Sequence, residues 1–414
     1  MALIRQSHQE EYLYSSPTLS RIARGDLCAG CGGCAAIAPQ ALKMTESAEG
    51  FLRPRQSAKL SADEERRISA LCPGMGQSVA AGARTDDALW GPYLSMQTGH
   101  ATDRDLRFAG ASGGGLSGLA AWLLESGTVD AILQVRADPE RPVGNVVTIS
   151  RSRAEVLEAA GSRYAPAAPL SLLPQALAGA ERFAFIGKPC DAAALRALRA
   201  QDPEAAARVP VILSFFCAGT PSLKGAEAVL EALDTAPEAA VAFRYRGNGW
   251  PGRATVTRRD GSARSMSYHD SWGGILSRHV QMRCKLCADG TGAAADIVCA
   301  DAWESDAAGY PVFAEAEGSS LFVARSAEGA ALLARAEAEG ALTLSGFDSR
   351  KLVAIQPGQR NRRHALLARL TARRLLGRPV PRYRGLRLGA AARQARPGFL
   401  LRNFLGTLRR GLFR

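Results

Sequence analysis

The chain has no apolar run near the roughly 20 residues that a membrane-spanning helix needs, although 47% of its 414 residues are apolar. Its first 26 residues carry charges of both signs and lack the apolar segment of a secretory signal. These absences predict a cytoplasmic protein. The length is sufficient for two or three packed domains.

Acidic residues are missing from positions 350–414, which contain seventeen arginines and one lysine. This basic tail therefore carries +18, and residues 1–349 carry −5, which together give the net charge of +13. Three prolines, at positions 379, 381 and 397, exclude one long helix. A composition of this kind attracts anionic surfaces.

The end of the tail has the spacing of an amphipathic helix. Its apolar face would contain Phe399, Leu400, Phe404, Leu405, Leu408 and Leu412, opposite Arg402, Arg409 and Arg410. This pattern is typical of a helix that lies peripherally on an anionic membrane. It equally fits an acidic partner, nucleic acid bound without sequence preference, or a partly packed extension.

A fourth cysteine is missing from the first cysteine run, Cys28-x2-Cys31-x2-Cys34. In two-cluster ferredoxins a Cys-Pro follows such a run, and here that position is Ala38-Pro39. The distant Cys72, which precedes a proline, supplies the natural fourth ligand. The sequence therefore predicts one 4Fe–4S cluster, and the glycines of the run expose N–H groups to it. A zinc knuckle is the alternative.

The second set of cysteines is dispersed along the chain. Cys284-x2-Cys287 fits half of a zinc site, a redox dithiol or half of a second cluster. Cys190 and Cys217 each follow a predicted buried strand, and the carboxyl ends of parallel strands form the usual ligand-binding edge. A second cubane on these four thiols is one of the possibilities. Cys299 is left over as a buried free thiol.

A glycine-rich turn, 111–115, leads into a predicted helix over Leu116–Glu125. Its N–H groups are suited to hold phosphate, and Ser112 is a candidate N-cap. The chain contains neither a G-x-G-x-x-G run nor a Walker A run, so this turn alone is a weak indication.

Strands and helices alternate after residue 90, which predicts an α/β fold with a largely parallel sheet. Four units are expected: a leader arm over 1–20, a ferredoxin-like 4Fe–4S segment over 21–85, a mixed α/β domain over 90–345, and the basic tail over 350–414. The predicted strands are Val129–Val135, Arg182–Gly187, Val209–Phe216 and Ser320–Arg325. The predicted helices are Ala62–Leu71, Asp191–Arg199, Ser222–Leu233, Ser271–Met282 and Glu328–Glu339. Residues 241–268 are expected to be antiparallel.

Seven motifs occur in order between about residue 25 and residue 340: ASGGGLSGLAAWLLESGTVDAIL, GSRYAP, IGKPCDAAALRAL, FFCAGTPS, FRYRGNGWPG, RCKLCADG and ADIVCADAW. Together they resemble the family of coenzyme F420 hydrogenase/dehydrogenase beta subunits. This resemblance implies a flavoprotein that contains FAD and one or more 4Fe–4S clusters, and it makes the mixed α/β domain over 90–345 the flavin-binding and second-cluster domain. One departure is Ala300, where the family usually has glycine, while Asp296, Asp301 and Trp303 are retained.

The resemblance also implies roles for single residues. Ser112, Gly113 and Gly114 would hold the flavin phosphates, and the cluster ligands would include Cys190, Cys217, Cys284 and Cys287. The residues expected near the flavin are Arg163, Tyr164 and Lys188. No proton donor stands out, although His100 and His269 lie in loops near the predicted site.

The function that follows is an oxidoreductase that passes electrons from ferredoxin through 4Fe–4S clusters to FAD and then to a small-molecule or deazaflavin acceptor. One alternative is an electron-transfer beta subunit of a hydrogenase-like or formate-dehydrogenase-like complex. Another is a non-enzymatic binding module in which the clusters are structural.

Overall fold

The computed structural model describes residues 14–179, 181–303 and 314–412. Most of the expected leader arm, residues 1–13, lies outside these ranges, and its end belongs to a helix that begins at Pro17. Within the described ranges, no helix combines the length and the apolar character needed to cross a membrane.

The strands of the described residues, numbered in chain order, are β1 Leu42–Glu46, β2 Leu52–Gln56, β3 Gly76–Ser78, β4 Thr85–Asp87, β5 Gly91–Tyr93, β6 Ser95–Ala101, β7 Ala131–Ala137, β8 Asn145–Ser150, β9 Phe183–Gly187, β10 Ile212–Phe215, β11 Ala240–Arg244, β12 Arg253–Arg258, β13 Ala263–Ser267, β14 Ile297–Asp301, β15 Ser320–Ala324, β16 Leu342–Gly346 and β17 Arg382–Arg384.

The helices are α1 Pro17–Arg24, α2 Gly33–Ile37, α3 Ala62–Leu71, α4 Arg104–Ala109, α5 Gly115–Glu125, α6 Arg153–Glu158, α7 Leu173–Ala178, α8 Pro189–Arg199, α9 Pro203–Arg208, α10 Leu223–Ala232, α11 Met282–Lys285, α12 Ala327–Ala338, α13 Leu352–Ile355, α14 Pro357–Leu375, α15 Leu388–Arg393 and α16 Pro397–Leu412.

An eight-stranded mixed sheet forms the centre of the fold, in the order β16-β6-β15-β14-β10-β9-β7-β8. The expected parallel arrangement holds for β14, β10, β9 and β7, whereas the strands on both flanks pair antiparallel. Alternate residues enter two cores: Phe185 packs in one and Ile186 in the other. The central strands are apolar on both faces because helices and loops cover both sides.

A separate antiparallel sheet contains β11, β12 and β13, as expected for residues 241–268. The α-helix predicted over Ser271–Met282 is wrong. The chain instead forms a π-helical turn over His269–Ile275 and a 3-10 turn over Leu276–His279, before the short α11. Gly273 and Gly274 lie in this segment, and their low helix propensity weakens a regular α-helix there.

The N-terminal segment contains α2, the β1–β2 hairpin and α3. The helix predicted over Ala62–Leu71 is α3, and it begins with a capping box in which the Ser61 hydroxyl and the Glu64 carboxylate accept each other's backbone N–H. It ends with Cys72 at the C-cap. The Leu170 N–H donates to the Cys31 carbonyl at 3.0 Å, which joins the first cysteine run to the main domain.

The residues of the basic tail pack against the rest of the fold. β17 pairs in parallel with β3, and α14 has seven buried residues, including Arg363 and Arg373. Arg373 donates to the carbonyl of Gly25, and Arg363 donates to three carbonyls, one of which belongs to Ala288. This segment therefore contacts the loops that carry both cysteine sets.

Candidate functional site

The structure brings the first four cysteines together. We call Cys28, Cys31, Cys34 and Cys72 the first thiol set. Burial is the main cause that raises the pKa of Cys72 to about 11, and the charge of Cys28 adds to it. Burial and the neighbouring Cys72 likewise raise the pKa of Cys31 well above its usual value. Because burial and neighbouring thiols oppose the ionisation of Cys31 and Cys72, a cation between the thiols is favoured, since iron or zinc reverses this penalty.

Glycines allow the first cysteine run to turn closely against the main domain. Gly30 and Gly32 have φ angles of 75° and 83°, in the left-handed region. A Cβ at Gly32 would lie 2.7 Å from the Ser171 nitrogen. Backbone hydrogen bonds from Gly33, within the run, and from Gly74, outside it, partly offset the rise in the pKa of Cys31 and of Cys72.

The second four cysteines also converge, and Cys190, Cys217, Cys284 and Cys287 line one small cavity. We call them the second thiol set. Cys190 lies in the first turn of α8 after β9 and Cys217 follows β10, and these two strands are parallel neighbours, as the sequence predicted. Burial is the main cause that raises the pKa of Cys217 to about 12, and the charge of the adjacent Cys284 adds to it.

Hydrogen bonds fix the loops of the second thiol set. The Thr220 N–H donates to Cys284 Sγ at 3.3 Å, and Gln281 Nε2 lies 3.6 Å from the same sulfur. Gln359 and Arg362 of α14 both donate to the carbonyl of Cys217, at 3.1 and 2.8 Å. N–H groups directed at cysteine sulfurs are a recognised means of tuning iron–sulfur sites.

Arg283 lies between the two thiol sets, and no sequence pattern marked it as a site residue. Its side chain is 3% exposed, and Nη2 donates to the carbonyl of Pro73, next to Cys72. Burial lowers its pKa, but Tyr383 and the cysteines, including Cys287, raise it more, so the guanidinium stays charged. Its Nε and Nη1 have no hydrogen-bond partner within the described ranges.

No group of three or more His, Cys, Asp or Glu side chains among the described residues is arranged to hold a single metal ion. Zinc requires its four donors around one point. A 4Fe–4S cluster makes a different demand, since each thiolate binds a different iron. Metal analysis therefore separates these two interpretations of each thiol set.

A large cavity borders the second thiol set and has a volume of about 1630 Å³, its open mouth included. Cys217, Gly219 and Thr220 line both this cavity and the smaller one that the thiols share. Five of the six residues expected at the flavin line the large cavity: Ser112, Gly114, Arg163, Tyr164 and Lys188.

The glycine-rich turn differs in detail from the expectation. Helix α5 has Gly114 as its N-cap, so Ser112 is not the cap. The Ser112 hydroxyl instead donates to the Ser319 carbonyl at 2.9 Å. Gly113 is not among the residues that line the cavity, and a Cβ there would lie 3.0 Å from the Gly318 carbonyl oxygen. The close packing of two glycine-containing turns explains why Ser112 is held away from the helix end.

Arg163 is tied to the protein rather than free for a ligand. Its guanidinium donates four hydrogen bonds, to Asn145 Oδ1 and to the carbonyls of Pro142, Gly144 and Phe243, at 2.6–2.9 Å. Burial lowers its pKa. Arg163 therefore braces one wall of the cavity.

Lys188 forms a buried ion pair with Asp191, with 2.7 Å between Nζ and Oδ2. Burial lowers the pKa of Lys188, but the charge of Asp191 raises it more, so the ammonium is retained. The Asp191 carboxylate also interacts with Cys31 of the first thiol set and Cys190 of the second. The pair thus lies where the cavity and both thiol sets approach one another.

Aromatic side chains around Arg246 form a further part of the cavity lining, next to the Arg163 segment, and the sequence did not predict them as part of the site. Arg246 and Asp301 make two hydrogen bonds of 2.6 and 2.9 Å, and Trp250 Nε1 donates to the same carboxylate. The Arg246 guanidinium lies over the rings of Tyr268 and Trp303, 4.6 and 5.1 Å from their centroids. The motifs FRYRGNGWPG and ADIVCADAW contain Arg246, Asp301 and Trp303, but neither motif gave these residues a role in the site.

A mixed α/β fold, with a deep cavity at the carboxyl edge of its parallel strands and cysteine sets beside it, defines the class of this protein. Family models for the coenzyme F420 hydrogenase/dehydrogenase beta subunit match most of that fold: the N-terminal model at residues 96–174 and the C-terminal model at residues 180–350. The chain belongs to this family, as its motifs indicated.

Two curated relatives carry related names. The chain is 25% identical over 306 residues to the coenzyme F420 hydrogenase beta subunit of Methanococcus voltae, and the match covers 70% of this chain and 99% of that protein. It is 22% identical over 288 residues to a subunit of the F(420)H(2) dehydrogenase of Methanosarcina mazei, with coverages of 68% and 77%. A chain of the F420-reducing [NiFe] hydrogenase complex from Methanosarcina barkeri shares the fold, with a TM-score of 0.54, 19% identity and coverages of 69% and 96%.

Proposed function

We propose that this protein is an iron–sulfur flavoprotein oxidoreductase that passes electrons from ferredoxin through two 4Fe–4S clusters to FAD, and then to a small-molecule or deazaflavin acceptor. One observation carries the proposal: two sets of four cysteines assemble from distant parts of the chain, and the second borders the large cavity. Family membership supports the same chemistry.

The residues present fit two clusters. Each thiol set offers four sulfurs in a largely buried site, and backbone or side-chain N–H groups point at several of them. Arg283 lies beside both sets with two unpartnered nitrogens, which suits sites that carry net negative charge. When bound, the clusters supply single electrons and the flavin couples them in pairs to hydride chemistry.

The large cavity fits a flavin. Its lining combines a glycine-rich turn at the start of α5, the Lys188 cation and the aromatic side chains of Tyr164 and Trp272, whose ring centroids lie 4.9 Å apart. Aromatic walls suit a flat ring system, and a helix N-terminus suits phosphate. We expect Lys188 and the turn to orient the cofactor, while Arg163 and Arg246 hold the walls in place.

The proposal is tested by anaerobic purification followed by measurement of iron, sulfide, zinc and flavin per chain. About eight iron, eight sulfide and one FAD are expected for two cubanes and one flavin. About four iron would remove one of the two clusters from the proposal. Zinc in place of iron, or no flavin, would contradict it and favour a binding module with structural metal sites.

A second candidate function is that of an electron-transfer subunit within a larger complex. The names of the relatives favour it, because both are called subunits and the structural relative belongs to a hydrogenase complex. This function predicts little turnover by the isolated chain and recovery of other subunits with the affinity-tagged protein. Full turnover of a small acceptor by the purified single chain would contradict it.

A further inference from the structure

Five arginines and no acidic residue line a surface groove formed by α1 and the segment between α14 and β17. The arginines are Arg21, Arg24, Arg374, Arg378 and Arg382. All except Arg21 are exposed, and in the described parts of the chain none of the five forms an ion pair with a carboxylate. We call this surface the arginine groove.

The arginine groove lies next to the first thiol set. Arg21 Nη2 donates to the Val380 carbonyl at 3.1 Å, which joins α1 to the opposite wall. Val380 is buried in the same apolar cluster as Leu27, and Cys28 and Cys72 pack against that cluster. The groove and two thiols of the first set therefore border the same apolar cluster.

A concentration of uncompensated positive charge attracts an acidic macromolecule and orients it as it approaches. Residues 350–414 contain no aspartate or glutamate, and Asp26, which acts with Arg378 on Arg373, is a single acidic residue beside five arginines, so positive charge predominates here. The residues that line the groove include none of those that line the large cavity, so a partner held there would border the apolar cluster that Cys28 and Cys72 contact.

We propose that the arginine groove docks an acidic electron-carrier protein of the ferredoxin type. The proposal rests on the proposed function, because such a carrier is useful only if the first thiol set binds a cluster. The position beside Cys28 and Cys72 favours a carrier protein over an anionic membrane, since a lipid headgroup has no reason to lie near a redox site.

The test compares Arg24→Glu/Arg378→Glu with a matched control, Arg259→Glu/Arg264→Glu, which reverses two exposed charges at the hairpin of β12 and β13. Binding of oxidised plant-type ferredoxin is measured by calorimetry at low ionic strength, so that no turnover is required. The groove variant should bind at least about tenfold more weakly. The control should change by less than about threefold.

Two further measurements, the salt dependence of ferredoxin binding and binding to phosphatidylserine vesicles, identify the partner. Wild-type binding should weaken steeply with added salt, and the groove variant should show a flatter dependence. Equal losses in the groove and control variants, or salt-independent binding, would overturn the proposal. So would loss of binding to phosphatidylserine vesicles with ferredoxin binding unchanged, which would assign the groove to a membrane.

The docking proposal and the proposed function fail in different ways. The iron and flavin contents of the wild type test the proposed function, and they do not depend on whether ferredoxin binds. If iron and flavin are present and equal in the wild type and both variants, but the groove variant binds ferredoxin normally, the docking proposal alone is contradicted.

Discussion

Eight of the nine cysteines converge in two sets, whereas Cys299 lies within β14. We expect Cys34→Ser to lower the iron content from about eight to about four atoms per chain, because it removes one of the four ligands proposed for the first cluster. Iron analysis of the anaerobic protein measures this. Cys299→Ala is the control and should retain about eight. Equal loss in both variants, or no loss in Cys34→Ser, would contradict the ligand assignment.

Arg283 is the second test at the scale of single residues. Replacing it with methionine removes a buried positive charge beside both thiol sets. A reduced cluster carries one more negative charge than an oxidised one, so the midpoint potential should fall by an amount on the order of 60 mV, a tenfold change for one electron. Arg283→Lys keeps the positive charge and should shift the midpoint potential less. Redox titration followed by electron paramagnetic resonance measures both, and unchanged potentials in Arg283→Met would contradict this role.

At the scale of elements, the glycine-rich turn and α5 offer a matched pair of glycines. Gly114 and Gly127 both have a φ of 64°, but a Cβ at Gly114 would lie 2.3 Å from the Leu106 carbonyl oxygen, whereas nothing lies within 4 Å at Gly127. Gly114→Ala should therefore lower the free energy of unfolding by roughly 2–4 kcal/mol and reduce the flavin content.

Gly127→Ala should lower the free energy of unfolding by roughly 1 kcal/mol, because only the left-handed backbone is strained, and it should leave the flavin bound. Urea unfolding and flavin absorbance measure the two effects. Equal stability and equal flavin content in the two variants would show that the turn neither packs nor binds as described.

Helix α14 provides the next test. Arg363 donates to the carbonyls of Ala88, Ala288 and Leu386, so Arg363→Met should lower the free energy of unfolding by about 3 kcal/mol or more. Arg374→Met, at an exposed position of the same helix, should change it by less than about 0.5 kcal/mol. Denaturant unfolding measures both variants. If both variants changed the free energy of unfolding by a similarly small amount, α14 would not be integrated into the fold.

At the scale of the whole molecule, the sequence predicted some features well because their signals are local. Helix α3 has the bounds that the sequence predicted, which its capping box explains, and the strands β9, β10 and β15 follow buried apolar runs. The convergence of Cys72 with the first cysteine run was also expected, because Pro73 repeats the ferredoxin pattern.

Other features depend on contacts between distant residues, which spacing cannot reveal. Arg283 and Arg246 gain their positions from packing against Pro73 and Asp301, far away in sequence. The basic tail has the simple composition of an extension, yet Arg363 and Arg373 donate to carbonyls of the core. The antiparallel flanks of the sheet likewise arise from pairings such as β6 with β15.

The central claim is that two clusters lie close together, one on each thiol set. Its most direct test is electron paramagnetic resonance of the dithionite-reduced wild type, with Cys34→Ser and Cys217→Ser for comparison. We expect about two spins per chain in the wild type, with lines broadened by their interaction, and about one narrow-line spin in each variant. One spin per chain in the wild type, or no iron-based signal, would contradict the claim.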